Sequence, residues 1–448
     1  MTLSRRFAGL LLLLSLGLTP PARAQSPAAL RTAQIQVARG DYTAAAAGLE
    51  TVAPEALSAE GAYLLGRCYQ ALLQYDRAVA AFERADTSKI AVLTEWGRSL
   101  ERLGHPDEAE ARYRAAYRQD STNHTVAANL ARLLSDRQAW DEVAAIYERL
   151  LKDDTENSYL HAQLGTAYAR LDSTDQAIIH YERAHALNLC NIKVVLALTK
   201  VYYDIEYYTS ARRVLDRALN ERPRHAALWR RSGEIALKEE TYELAVEAFG
   251  YALQYSPDTL ALDLSKLGAS YYLLGDFDSA RTALQQSFDL DDQDAMTAFY
   301  LGMAYQQGQH YDDALTYLNY AADLLGDGLL SDIHARIGNT YDQMDQHGEA
   351  IQSYRLSLNL QPDRTEVLFH LAALYDEYYA DKATALEQYQ RFLEQVEEDQ
   401  LTQMQRYAQR RVNEIREQQF FEQGRLPESA LDSITVQPSD SARAKGQE

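Results

Sequence analysis

The sequence is short of the residues that disulfide scaffolds and basic binding proteins need. Its 448 residues include only two cysteines, which excludes a disulfide-rich framework and a multi-cysteine zinc site. Positive charge is also scarce. There are 44 lysine and arginine residues against 65 aspartate and glutamate residues, so the formal net charge is −21. This acidic balance argues against nucleic acid or an anionic membrane as a partner of the whole surface.

Long apolar runs and catalytic motifs are missing as well. After residue 24, no apolar run reaches the ~20 residues that a transmembrane helix needs. The sequence has no glycine-rich phosphate loop, no HExxH motif, no GxSxG elbow and no EF-hand loop. Its ten histidines show no metal-ligand spacing. We therefore expect a protein that is not an enzyme and has no cofactor and no bound metal; an enzyme with scattered catalytic residues is the disfavoured alternative.

The first 24 residues are typical of a secretory signal peptide. Arg5 and Arg6 precede an apolar run of about twelve residues, and the small residues Ala22 and Ala24 provide a cleavage site before Gln25. We expect export to a bacterial periplasm or cell surface, with an uncleaved N-terminal anchor as the alternative. Because the removed segment carries three arginines and no acid, the mature net charge is expected to be −24.

The rest of the sequence repeats itself every 34 residues on average. Small residues mark the period at intervals of 31 to 36, namely Ala45, Ala78, Ala109, Val143, Ala177, Ala211, Ala245, Ala280, Ala314, Ala350 and Ala385. Twelve positions before most of them stands a second small residue, at Gly66, Gly97, Ala131, Gly165, Thr199, Gly233, Gly268, Gly302 and Gly338. Aromatic or aliphatic residues recur at helical spacing around both ladders.

This pattern resembles the tetratricopeptide repeat, a helix–turn–helix unit of 34 residues with a W-x2-L-G-x2-Y … A-x3-F … P signature. The seventh copy resembles it best, with Trp229, Gly233, Ala245 and Phe249. The resemblance covers about residues 26–397, or eleven repeats. It implies an all-α, right-handed superhelical solenoid.

Packing explains why small residues recur. They lie where the two helices of a repeat approach each other, and a larger side chain would push the helix axes apart. A single repeat cannot bury its apolar face alone, so neighbouring repeats stabilise one another. A helix at 403–419 is predicted inside a capping segment, 398–424, and a disordered tail at 425–448. Residues 325–328 lengthen one junction, either as a hinge or as a helix end.

Proteins of this family typically bind extended peptides or partner segments in a groove lined by the first helix of each repeat, and the resemblance implies such a groove here. The ninth position of successive repeats carries Arg67, Arg98 and Arg132, and later Lys200. We predict a basic stripe for an acidic peptide or partner protein, formed by Arg67, Arg98, Arg102, Arg132, Lys193, Lys200 and Arg230.

Other groove positions change character along the chain. The eighth and ninth repeats predict an apolar patch of Tyr272, Met296, Phe299 and Met303. The tenth and eleventh turn acidic, with Asp332, Asp342, Glu366, Asp376 and Glu377. The alternative for the basic stripe is a solvated face whose arginines pair locally, Arg98 with Glu95 or Glu101 and Arg132 with Asp136.

The leading interpretation is a non-enzymatic exported scaffold for a partner protein, in cell-envelope assembly or secretion. The alternative is a carbohydrate- or peptidoglycan-binding module that uses the groove tyrosines Tyr63, Tyr159, Tyr203 and Tyr272. Among the remaining residues, the cysteines Cys68 and Cys190 are expected to be buried and unpaired, and the histidines His180 and His185 to lie on the surface. The sequence does not predict the oligomeric state.

Overall fold

The computed structural model describes residues 27–325, 327–378, 382–396 and 402–423. These residues form 23 α-helices and a short 3₁₀ turn at Pro54–Ala56, and no strand occurs among them. The all-α prediction is therefore confirmed for these ranges. The expected signal peptide and C-terminal tail, and part of the junction at 325–328, lie outside the described residues.

The chain divides into two compact units, Met1–Val214 and Leu215–Glu448. Helices that begin in the N-terminal unit are α1 (Pro27–Ala38), α2 (Tyr42–Glu50), α3 (Ala59–Ala71), α4 (Tyr75–Phe82), α5 (Ile90–Arg102), α6 (Pro106–Gln119), α7 (His124–Asp136), α8 (Trp140–Leu151), α9 (Ser158–Arg170), α10 (Thr174–Leu187), α11 (Ile192–Asp204) and α12 (Tyr208–Glu221). Those of the C-terminal unit are α13 (Ala226–Lys238), α14 (Tyr242–Tyr255), α15 (Ala261–Leu274), α16 (Phe277–Leu290), α17 (Ala295–Gln307), α18 (Tyr311–Leu324), α19 (Asp327–Gln343), α20 (His347–Leu360), α21 (Thr365–Tyr378), α22 (Lys382–Glu394) and α23 (Gln403–Gln423).

Helices α1 to α22 are the first and second helices of eleven repeats, the number that the sequence predicts. Helix α23 follows as the capping helix. It packs on α22, and its apolar side chains Ala408, Val412 and Ile415 complete the core of the last repeats. The cap therefore covers an apolar face that the end of a repeat stack would otherwise expose.

Five first helices begin at capping side chains that occupy one position of the repeat, whereas α5, α13 and α15 have no side-chain cap. Asn123, Asn157, Asn191 and Asp294 each accept a hydrogen bond from a backbone N–H in the first turn of the helix that follows. Ser58 does the same for Gly61 at the start of α3. These side chains satisfy N–H groups that have no partner within the helix.

First helices end at a residue in the left-handed backbone conformation, five positions before the ladder alanine. This residue lets the chain turn into the second helix, as at Leu73, where the Gln74 N–H then donates to Tyr69 O at 2.8 Å. Three of these ten turn residues are glycines, namely Gly40, Gly104 and Gly275. The other seven are Leu73, Gln138, Asp172, Glu206, Glu240, Gln309 and Asp345. The repeat pattern in the sequence does not predict this position.

The small residue of the first helix faces a large residue sixteen positions later in the second helix. A Cβ at Gly66 would lie 2.5 Å from Phe82, and one at Gly165 would lie 2.6 Å from Tyr181. The same offset recurs in Gly97–Tyr113, Gly233–Phe249, Gly268–Leu284, Gly302–Leu318 and Gly338–Tyr354. The predicted close approach of the two helices is confirmed at these glycines.

Consecutive repeats of the N-terminal unit are joined by tyrosine–glutamate hydrogen bonds. Tyr69 OH donates to Glu50 at 2.8 Å, and Tyr168 OH donates to Glu148. Burial and the hydrogen bond to Glu50 raise the pKa of Tyr69 to about 12. The phenol therefore stays a neutral donor at physiological pH, which keeps each glutamate paired.

Candidate functional site

The predicted basic stripe lies on the first helices of the N-terminal unit. Arg67 on α3, Arg98 on α5 and Arg132 on α7 are all exposed, one residue after the small residue that faces the second helix. Arg102, one turn after Arg98, is exposed as well. The small residue turns toward the helix partner, so the next residue along each helix points elsewhere, to solvent. We call these four arginines the first-helix arginines.

Two of the first-helix arginines already have acidic partners. Arg98 contacts Glu95 at 3.0 Å, as the sequence suggested. Arg132 contacts Asp136 at 3.7 Å and donates a hydrogen bond to Glu101, which belongs to the preceding repeat. Glu101 therefore does not pair with Arg98, because Arg132 and the Tyr113 hydroxyl occupy its oxygens.

The other two first-helix arginines form no ion pair with an acid in the part of the chain that the structure describes. Within the described residues, neither Arg67 nor Arg102 has a carboxylate within ion-pair distance. Arg67 instead lies over the Tyr63 ring, 6.0 Å from its centroid. Other exposed arginines, such as Arg39 and Arg118, also have no ion pair among the described residues, so this state is not special to the first helices. It leaves the charges of Arg67 and Arg102 available to a ligand.

The two predicted lysines of the stripe lie on α11. Both are exposed. Lys200 pairs with Asp204 at 2.6 Å, one turn later in the same helix. Lys193 has no acidic partner in the part of the chain that the structure describes. A ligand role for either lysine stays a prediction.

Arg230 corrects the prediction for the C-terminal unit. Its Nε and Nη2 donate hydrogen bonds of 2.5 and 2.6 Å to Asp263, a carboxylate that is 0% exposed. Beside it, Glu234 accepts hydrogen bonds from Arg231 at 2.7 Å and Lys266 at 2.5 Å. Arg230 thus neutralises a buried carboxylate between α13 and α15 and does not extend the stripe.

The predicted apolar patch is core. Phe299 is 9% and Met303 5% exposed, and both pack in a cluster around α17, α18 and α19. Tyr272 is half-buried and packs edge-on against Tyr300, with ring centroids 5.8 Å apart. Met296 is half-buried as well. Because the repeats of the C-terminal unit pack on one another there, Phe299 and Met303 offer a ligand almost no surface, and Tyr272 and Met296 offer only part of theirs.

The predicted acidic positions are largely engaged. Asp332 pairs with Arg364 at 2.5 Å. Asp376 is buried, and Arg411 of α23 donates to both of its oxygens while Lys382 lies 3.0 Å away. Burial opposes ionisation of Asp376, but the hydrogen bonds from Arg411 and Lys382 outweigh it and lower its pKa. Asp376 therefore helps to attach the capping helix.

One polar cluster is not predicted by the sequence. His161 Nδ1 and His180 Nδ1 are 3.0 Å apart, and His161 Nε2 lies 3.1 Å from Thr155 O. His180 also stacks on Tyr168, with centroids 5.5 Å apart. Burial, and then the charge that His161 can carry, lower the pKa of His180. The pairing joins residues nineteen positions apart on two helices, so spacing along one helix gives no signal of it.

Four single-residue expectations have clear outcomes. Cys68 is buried, as predicted. Cys190 is exposed, because it lies in the turn after α10 and not on a helix face. His185 is buried on the inner side of α10 instead of lying on the surface. The half-buried His180 also fails the surface prediction.

The tyrosines of the carbohydrate alternative are mostly covered. Tyr159 is 52% exposed. Tyr63, Tyr203 and Tyr272 are half-buried, and each packs against another aromatic ring. Stacking on a sugar needs an open ring face. Of these four tyrosines, Tyr159 is the one whose ring is exposed.

Other classes of site find no support in the described ranges. No three histidine, cysteine, aspartate or glutamate side chains are placed there to hold a metal ion. The helices described are also too short or too polar for any of them to cross a membrane.

Family models described as tetratricopeptide repeat match most of the chain. The matched residues are 59–89, 90–197, 196–258, 266–328 and 331–364. These segments include the helices that carry the first-helix arginines.

Similar proteins include one curated protein and several solved structures. The "BBSome complex member BBS4 homolog" of Drosophila melanogaster is 25% identical over 193 residues, which cover 40% of this chain and 38% of that protein. The chain thus spans well under two thirds of that relative's length.

Among solved structures, the APC/C hetero-tetramer Cut9–Hcn1 contains a chain 16% identical, with 86% of this chain and 89% of that chain covered and a TM-score of 0.43. A tetratricopeptide repeat protein from Parabacteroides merdae is 16% identical over 56% of this chain and 98% of its own, with a TM-score of 0.41. MamA is 23% identical, with 36% of this chain and 93% of the MamA chain covered and a TM-score of 0.34. All three scores are below 0.5, so nothing about function follows from them.

Proposed function

Since the chain belongs to the tetratricopeptide repeat family, we propose that it is a non-enzymatic scaffold that binds a partner protein. The segment of the partner that it holds is acidic and extended, and it lies on the first helices α3, α5 and α7 of the N-terminal unit. The family's typical role in protein–protein interaction supports the scaffold. The free charges of Arg67 and Arg102 support the acidic ligand.

The observation that carries this proposal is that two neighbouring first helices, α3 and α5, each present an exposed arginine with no carboxylate partner among the described residues. The protein has a net charge of −21, yet Arg67 and Arg102 have no carboxylate partner among the described residues. Arg98 and Arg132 lie beside them in pairs that are partly exposed. Exposed ion pairs are worth about 0–1 kcal/mol, so a ligand carboxylate can displace their present partners at little cost.

The spacing of the repeats fits an extended ligand. Packed helices lie ~8–10 Å apart, so equivalent side chains of consecutive repeats are separated by about that distance. An extended segment rises about 3.3 Å per residue, so every third residue meets a new arginine. Each exposed contact contributes only ~0.2–1 kcal/mol, so the affinity depends on several contacts acting together.

We propose export as the setting of this function, with a role in envelope assembly or secretion. The proposal rests on the first 24 residues of the sequence, where Arg5 and Arg6, a short apolar run and a small-residue cleavage site follow in order. N-terminal sequencing of the secreted protein should begin at or near Gln25. A mature chain that still begins at Met1 contradicts the export proposal and leaves the binding proposal intact.

A carbohydrate-binding role is the weaker alternative. This role needs tyrosine rings on which a sugar can stack. Of Tyr63, Tyr159, Tyr203 and Tyr272, the exposed one is Tyr159. Stacking on a sugar depends little on ionic strength, whereas binding through arginines weakens as salt screens the charges.

The test of the binding proposal is charge reversal at the two free arginines. The probe is a fluorescein-labelled twelve-residue peptide with glutamate at every third position, and the readout is fluorescence anisotropy at low salt. Arg67→Glu with Arg102→Glu should weaken binding at least tenfold, with the helical content checked by circular dichroism. The matched control, Arg118→Glu with Lys152→Glu, changes the net charge equally at exposed sites off the first helices and should change binding less than twofold. Equal affinities in the two variants contradict the proposal.

A further inference from the structure

A half-open pocket of about 390 Å³ lies in the N-terminal unit, between the second helices of the first two repeats. It is formed by α2, the loop that follows it, α3 and α4. Its floor is apolar and includes Leu49, Val52, Leu57 and Leu65. A pocket of this size with an apolar lining and a few polar groups is the usual form of a small-ligand site.

A small residue of the second repeat borders this pocket. Three positions after the ladder alanine, two other repeats carry ring residues, His180 and Tyr317. Each ring stacks on the tyrosine of its own first helix, at 5.5 Å from Tyr168 and 5.4 Å from Tyr305. In the second repeat this position is Ala81, as it is alanine at 248 and 283, so the Tyr69 ring has no stacked ring beside it and is covered by the Arg77 guanidinium, 4.2 Å from its centroid.

One wall of the pocket is polar, and the opposite charges of Glu50 and Arg77 in it cancel. Glu50 accepts hydrogen bonds from Tyr69 OH at 2.8 Å and from Arg77 at 2.7 Å. Arg77 also donates to the Tyr69 hydroxyl oxygen and to Gln74. The negative charge of Glu50 is thus balanced by Arg77 within the wall.

The remaining charge of the pocket is that of Arg84. This exposed side chain lines the pocket and has no acidic partner among the described residues. At the same position of later repeats, Arg149 pairs with Asp153 at 2.9 Å and Arg183 pairs with Glu156. Arg217 and Arg391 at this position have no acidic partner among the described residues either, but Arg84 is the one of these arginines that lines the pocket, so its charge is left for a ligand there.

We propose that this pocket binds an aliphatic carboxylate, with its apolar chain against Leu49, Leu57 and Ala81 and its carboxylate on Arg84. The apolar floor selects the chain, and the net charge of two arginines against one glutamate selects the anion. A medium-chain fatty acid and the free C-terminus of a peptide that ends in an apolar residue share this chemistry. The site is independent of the first-helix arginines and of the scaffold function proposed for them.

The first test is calorimetric titration of the purified full chain with octanoate. Octylammonium, with the same chain and the opposite charge, and acetate, with the carboxylate and no chain, are the reference probes. Octanoate should bind saturably at a single site and at least tenfold more tightly than either. Binding of octylammonium as tight as that of octanoate, or no saturable binding of octanoate, overturns the proposal.

Two variants locate the site. Ala81→Tyr should abolish octanoate binding by filling the pocket, and it should fold because Tyr317 occupies the same position against Tyr305. Arg84→Glu should weaken octanoate binding at least fivefold, whereas the control Arg118→Glu leaves it unchanged. Unchanged octanoate affinity in Ala81→Tyr, with the fold intact by circular dichroism, refutes the assignment.

The two sources of the carboxylate are told apart with N-acetyl-Ala-Leu. If this dipeptide acid binds more tightly than octanoate, the natural ligand is a peptide C-terminus; weaker binding indicates a fatty acid. The C-terminal amide of the same dipeptide should bind at least tenfold more weakly than the acid. An amide that binds as tightly as the acid shows that the carboxylate is not recognised, and this contradicts the proposal.

Discussion

Gly66 lies so close to Phe82, sixteen residues further on, that a Cβ at position 66 would come within 2.5 Å of the ring. Phe82 is fully buried, so the ring or the helices would have to shift to admit a side chain there. The same sixteen-residue relationship recurs along both units. The distance between the two helices of a repeat is therefore set by the absence of a side chain at one position.

Gly66→Val should overpack the second repeat and lower the free energy of unfolding by ~1–3 kcal/mol. The control is Gly48→Val, at an exposed helix position where a Cβ would meet no atom within 4 Å, and there the change should be within ~0.5 kcal/mol. Urea unfolding followed by circular dichroism measures both.

Hydrogen exchange then tests how far the damage spreads. Because each repeat contacts mainly its neighbours, protection in Gly66→Val should fall mostly in α1 to α6. An equal loss of protection along all eleven repeats does not agree with this account.

The left-handed turn residue is a place where the chain can be stabilised. Leu73 has φ +58° and is 71% exposed, so its side chain contributes little and its backbone is strained. Leu73→Gly should raise the free energy of unfolding by ~0.5–1 kcal/mol, and Gly104→Ala, at φ +79°, should lower it by a similar amount. Loss of stability in Leu73→Gly shows that the turn is not strained.

The histidine pair should make the N-terminal unit sensitive to mild acid. His180 faces His161 on α9 and Tyr168 with its partner Glu148 on α8, and its pKa is lowered by burial. The unfolded state therefore takes up this proton at a higher pH than the folded state. The contribution is fully present above the ordinary pKa near 6.5, and stability falls as pH drops below that value.

Urea midpoints between pH 7.5 and 5.0 measure this effect. His180→Gln should flatten the fall in stability below pH 6.5, whereas the exposed control His124→Gln should leave the slope unchanged. The same slope in both variants contradicts a role for the pair.

The capping helix depends on one buried carboxylate. Arg411→Met leaves Asp376 buried beside Lys382 alone and should cost about 3–5 kcal/mol in the C-terminal unit. Adding Asp376→Asn should recover part of the loss, because the uncompensated charge is removed. Hydrogen exchange should show the loss first in α23. Full protection of α23 in Arg411→Met rules out this role for Asp376.

The repeat period predicted the fold because packing rules act at fixed offsets. The alanine and glycine ladders each belong to one helix, so their spacing is readable along the chain. The seven non-glycine residues in the left-handed turn conformation were missed because their chemical types differ, although their position is constant.

The site was predicted less well because its partners come from other repeats. Arg98 with Glu95 was foreseeable from helical spacing, and it is present. Arg230 with Asp263 joins residues 33 positions apart, and the burial of Phe299 depends on three helices. A position on the groove side of a repeat therefore does not by itself decide whether the neighbouring repeat covers it.

Salt dependence of binding to the glutamate-containing peptide is the most direct test of the scaffold proposal. Wild type and the Arg67→Glu, Arg102→Glu variant are titrated side by side from low to high ionic strength. The wild-type affinity should fall steeply with salt and approach that of the variant, because screening removes what the two arginines add. A wild-type affinity that does not change with salt, or a variant that binds as tightly as wild type at low salt, contradicts the account.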